Sequence, residues 1–244
     1  MGKMAVESKT FPAGTSAIPP ALKVRSLAPP AAYRRYFVWA QIIVAFMFLE
    51  FAIWAPTTKI RNRWAAVAMI TILVLVLIDV LIDRPSPERL GLGLPKMFGA
   101  GLVLGIGFAT VAVMVILVHW LGGQIPANPA WWPNLHLAWG YVIWALIQEF
   151  MLQSFFFNRF EELCGSSAAV WMASTLFAAA HLPSPVLTTA TLIGALFFCE
   201  MYSRYRSIYP LAIVHAMLGL TIAIITPDSL LHHMRVGIGY LRYQ

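Results

Sequence analysis

The chain has 244 residues, of which 60% are hydrophobic and 11% charged, and its mean hydropathy is +0.75. A soluble domain carries about 25% charged residues, so this composition leaves too little polar surface to coat a water-soluble globule. The net charge of +7 is spread between apolar runs rather than gathered on one face, which suits cations flanking membrane spans and speaks against a nucleic-acid partner.

Residues 1–35 hold Pro12, Pro19, Pro20, Pro29 and Pro30 among scattered Lys and Arg. With no apolar periodicity, they read as a flexible basic arm at the membrane surface. No apolar core follows the early basic residues, so a signal peptide is not expected. A hydrocarbon core about 30 Å thick takes roughly 20 apolar residues as helix. Runs at 36–54, 64–82, 98–121, 138–157, 167–181, 186–201 and 208–225 predict an all-α, polytopic membrane bundle of about seven transmembrane helices. The chain then divides into the arm, N-terminal helices over 36–137, a core over 138–225 and an interfacial tail over 226–244. Gly99, Gly101, Gly105 and Gly107 open the third run and would allow close helix contact. With the N-terminus cytoplasmic, 12 of the 17 Lys and Arg residues fall on the cytoplasmic side, as the positive-inside bias favours. The expected location is the cell membrane, multi-pass. Cys164 and Cys199 stand far apart with no CxxC spacing, so neither a disulfide nor a zinc framework is expected.

A charge in hydrocarbon costs at least ~2.5–3.5 kcal/mol, so ionisable residues inside spans face a cavity or a partner. Glu50 and Asp79 lie near span ends, close to water. Glu200 stands four residues before Arg204, the spacing of a helical ion pair. The fourth run differs: Gln148, Glu149 and Gln153 sit among Phe and Leu, with Glu149 and Gln153 on one helix face. A packing hydrogen bond explains Gln153, but a buried carboxylate must be paired or protonated. His181 ends the fifth run and His215 lies inside the seventh. A carboxylate with two imidazoles on three helices could activate water, stabilise an oxyanion, bind a metal or relay protons. Residue chemistry alone leaves these four open.

In order and wording these segments resemble the CPBP family of intramembrane proteases, the CAAX-protease and bacteriocin-processing group. Its signature is EExxxR, then FxxxH, then a later His often followed four residues on by Asn. Phe177 to His181 matches FxxxH, and Ser207-Ile208-Tyr209-Pro210 leading to His215 resembles the approach to the last His. The resemblance covers roughly 138–225. It implies a helical bundle with a polar pocket within the membrane and hydrolysis of a peptide bond. In the family the first Glu with the first His activates water, the last His and the Asn stabilise the oxyanion, and the second Glu and the Arg hold the site. This chain departs at three positions: Gln148 stands at the first Glu, Gln153 at the Arg and Gly219 at the Asn. A glutamine cannot take a proton as a base. The expectation is therefore that Glu149 takes the base role beside His181, which needs a distorted helix, such as a local bulge. His215 is the expected oxyanion or pocket residue, Phe177 lines the pocket, and Gln148 and Gln153 are supporting donors.

The leading reading is an intramembrane endopeptidase acting on a membrane-associated protein or peptide, with the lipid bilayer as its other partner. The alternative is a catalytically inactive relative that serves as a membrane chaperone or scaffold. A small transporter is a third reading, disfavoured by the absence of paired broken helices in two halves. Neither a metal nor another cofactor is expected, because open zinc sites usually carry a tighter pair such as HExxH.

Overall fold

A computed structural model describes residues 32–123 and 135–242. Most of the predicted basic arm and the segment between the third and fourth helices lie outside the described residues.

Seven apolar helices follow in chain order: α1 (Ala32–Ile53), α2 (Thr58–Asp83), α3 (Met97–Trp120), α4 (Leu135–Glu149), α6 (Ser166–Ala179), α7 (Pro185–Tyr205) and α8 (Tyr209–Ile225). α4 continues through a π-helical segment, Phe150–Phe157, into α5 (Asn158–Cys164). Among the described residues, five helices are long and apolar enough to cross a membrane, α4 to α5 counting as one span. α6 and α8 are apolar but shorter, at 14 and 17 residues. All seven predicted runs therefore fold as helices. The protein is an all-α membrane bundle. A short tail, α9 (Asp228–Leu231) and α10 (Ile238–Leu241), follows α8.

The ends are set by local chemistry. Gly165 separates α5 from α6 with φ +84°, a conformation that L side chains rarely adopt. Ser184 caps α7 by accepting from the Leu187 amide at 3.3 Å, and Pro185 opens the helix where its missing N–H is not needed. Pro210 opens α8 in the same way.

Packing pairs α1 with α2, α6 with α7, and α8 with both α3 and α4. The π segment runs through the middle: Leu152, Gln153, Ser154, Phe155, Phe156 and Phe157 are all buried. Six consecutive buried residues require neighbours on every side, so this is a central helical segment of the bundle with no lipid-facing side. Apolar side chains such as Ile70, Phe108 and Ile116 point outward, as lipid-facing surface does. Of the four glycines in α3, Gly99 and Gly107 face inward. A Cβ on Gly107 would lie 2.6 Å from Val214 of α8, and one on Gly99 would meet the Tyr205 ring. Gly101 and Gly105 face open space, so the expected close approach uses two of the four.

The charged residues near the helix ends behave differently from one another. Arg204 pairs with Glu200, the predicted i,i+4 pair. Trp54 donates its indole N–H to Glu50 at 2.9 Å. The side chain of Asp79 lies outside the described residues. Arg159, just beyond the π segment, is 3% exposed. Its Nε donates to Gln41 at 2.8 Å, and its guanidinium lies 3.6 Å over the Phe155 ring, so it ties α1 to the π segment.

Candidate active site

α4 delivers Glu149 to the point where the helix changes register. Just beyond it the ladder widens, and the Asn158 amide donates to the carbonyl of Gln153, five residues back. Such π turns are rare and frequent at functional sites. The π segment begins at Phe150, directly after Glu149.

Glu149 is fully buried, and its carboxylate holds two donors. His215 donates Nδ1–H to Oε1 at 2.8 Å, and Gln153 donates from Nε2 to Oε2 at 3.2 Å. These bonds replace the water that a carboxylate loses on burial. α4 and α8 are packed antiparallel partners, and this sets Glu149 and His215 at one level. The expected pairing of Glu149 with His181 is therefore corrected: the carboxylate bonds His215. His181 turns its Nδ1–H instead to the Phe177 carbonyl at 2.7 Å, one turn back on α6.

The aromatic walls fix both imidazoles. His215 stacks on Phe198 with centroids 5.5 Å apart, and Phe177 meets it edge-on at 5.9 Å. The same Phe177 ring touches His181 at 4.8 Å. One phenylalanine thus braces both histidines. Each histidine has Nδ1 engaged, which leaves Nε2 as the nitrogen available for further chemistry.

A cavity of about 670 Å³ opens beside these rings, lined by Gln148, Phe177, His181 and His215 together with Tyr141 and Gly219. Arg61, Asn62 and Arg235 lie along its wall, and Met114, Ile193, Leu218 and Ile222 supply apolar lining. Glu149 and Gln153 sit behind the wall. Of the six residues singled out from sequence, four line the cavity and two support them from the rear. Tyr141 and Phe198 escaped the sequence reading. The only signal for Tyr141 was its spacing, seven residues before Gln148 and so on the same face of α4. Among the described residues no group of three or more His, Cys, Asp or Glu side chains is placed to hold a metal ion.

A family model described as type II CAAX prenyl endopeptidase Rce1-like matches residues 130–221. That stretch contains Glu149, His181 and His215. This match supports membership of the CPBP family. At family level this is the signature of a CAAX-type intramembrane protease. Comparison with curated proteins and with solved structures returns no match. The matched segment supplies Tyr141, Gln148, His181 and His215 to the cavity wall, while Arg61 and Asn62 of α2, Thr110 of α3 and Arg235 of the tail reach it from outside that segment.

Proposed function

We propose that the chain is an intramembrane endopeptidase that hydrolyses a peptide bond in a membrane-associated protein, with His215 as the base. The observation that carries this reading is the buried 2.8 Å pair between Glu149 and His215 beside a cavity that both histidines line. A carboxylate behind an imidazole holds its tautomer and stabilises the imidazolium that forms when the ring takes a proton. Water held between His215 and His181 attacks the scissile carbonyl carbon while its proton passes to Nε2 of His215. The tetrahedral intermediate collapses as His215 returns the proton to the departing amine nitrogen. The products are a carboxylic acid and an amine. His181 accepts the second hydrogen of the water through Nε2 and so aims the oxygen.

Glu149 acts through His215 and is a positioning residue, and Gln153 holds its second oxygen. Gln148 needs no basic role, since the base comes from α8. The description of the matching family points to a substrate with a prenylated CAAX tail, and the apolar lining at Met114, Ile193, Leu218 and Ile222 suits an isoprenoid chain. The 12-to-5 split of basic residues supports a cytoplasmic N-terminus in the cell membrane.

The test is the full chain in lipid nanodiscs with a farnesylated CAAX peptide. Cleavage that is lost in His215→Ala and in Glu149→Gln is the expected result. Peptide that binds the wild-type protein and is never cut would instead make the chain a noncatalytic membrane partner.

A further inference from the structure

Hydrolysis through a tetrahedral intermediate places negative charge on the former carbonyl oxygen, and a donor must wait where that charge forms. The histidines cannot supply it: their Nδ1 atoms are engaged with Glu149 and Phe177, and their Nε2 atoms are used on the water. The position four residues after His215 is Gly219, which has no side chain. Tyr141 takes up that space. A Cβ at Gly219 would land on the Tyr141 hydroxyl, and the ring carbons behind it would lie 2.8 and 2.9 Å away. The hydroxyl of α4 is therefore pressed onto the inner face of α8, about 6 Å along the helix from His215 at ~1.5 Å per residue. It is not turned outward toward headgroups like an interfacial tyrosine. Tyr141 lines the same cavity as His181 and His215, and its hydroxyl makes no hydrogen bond to another described residue. A phenol O–H with no partner among the described residues, on the wall of the cavity that His215 also lines, can bond a ligand.

We propose that Tyr141 is the oxyanion donor of this site and that Gly219 is the space it occupies. This rests on the endopeptidase reading above. As water oxygen bonds to the carbonyl carbon, the C=O π electrons move to oxygen. The Tyr141 O–H donates to that oxygen without giving up its proton. When the C–N bond breaks, the electrons return to re-form the carbonyl.

The experiment uses the full chain in lipid nanodiscs and a peptide spanning a bond that wild-type cells cut and His215→Ala cells do not. Tyr141→Phe keeps the ring and its packing. It should lower kcat by about 100- to 1,000-fold, the loss that follows removal of one oxyanion donor, with KM unchanged and unfolding temperature held. Tyr141→Ala should lose as much, and Tyr141→Ala/Gly219→Asn should recover part of kcat. The asparagine amide then has room to donate from α8. Full kcat in Tyr141→Phe, or a loss confined to KM, overturns the oxyanion role while leaving the endopeptidase intact. An absence of any His215-dependent cut overturns both.

Discussion

Glu149 sits where a free carboxylate would be least tolerated, at 0% exposure in the centre of the bundle. Its stability there depends on the donors from His215 and Gln153, and removing one partner of such a buried pair costs about 3–5 kcal/mol because a charge is left uncompensated. His215→Ala should therefore lower the unfolding temperature as well as activity, whereas Glu149→Gln removes the charge itself. In the proposed mechanism Glu149→Gln loses the tautomer control of His215. Cleavage should fall about 10⁴-fold with the protein still folded, as read by peptide cleavage and thermal unfolding of the same nanodisc sample. Gln148→Glu gives a complementary result. If Gln148 marked a lost base, a carboxylate there would raise cleavage; with His215 as base, it should not. The identities of Glu149, His181 and His215 were legible in sequence, because ionisable residues in apolar runs stand out. Their pairing was not. It depends on the register of α4 against α8 and on a backbone carbonyl, Phe177, that claims His181.

At the scale of elements, the helix boundaries follow from apolar run length, and the predicted run at 98–121 matches α3 at Met97–Trp120. What run length does not carry is rotation about the axis. Four glycines near the start of α3 looked equivalent, yet only Gly99 and Gly107 meet a neighbour. Gly107→Leu should overpack the α3–α8 contact at Val214 and destabilise the bundle by about 1–3 kcal/mol. Gly105→Leu, facing open space, should be close to neutral. Thermal unfolding of the two variants in one lipid mixture makes the comparison. The π segment likewise leaves only an indirect trace in sequence: three consecutive phenylalanines, Phe155 to Phe157, all buried, which no amphipathic helix with a lipid face can accommodate.

The whole molecule places its chemistry by using helices too short to cross. α6 has 14 residues, about 21 Å at ~1.5 Å per residue, against a hydrocarbon core of about 30 Å. His181, just past its end, is therefore expected at membrane depth if α6 starts at one interface. On the far side the tail closes over the loops: the Gly237 amide donates to the Leu182 carbonyl at 2.7 Å, and Arg242 donates to the Pro56 carbonyl at 2.7 Å. On the N-terminal side Arg34 of α1 pairs with Glu162 of α5 at 2.7 Å, so exposed Cys164 shares the face of the α1 N-terminus. With the N-terminus cytoplasmic, a membrane-impermeant maleimide should leave Cys164 unlabelled in intact cells and label it in inverted vesicles; the reverse pattern would invert the topology. Buried Cys199 should stay unlabelled in both.

The central claim is that the Glu149–His215 pair drives peptide hydrolysis in the membrane. Its most direct test is a map of new N- and C-termini in the membrane proteome of native cells. Wild type should be compared with Glu149→Gln/His215→Ala, a variant that removes both members of the pair and so leaves no unpaired buried charge. The account predicts that specific termini vanish in the variant while the level of the protein holds. Identical maps from cells with equal protein would contradict it.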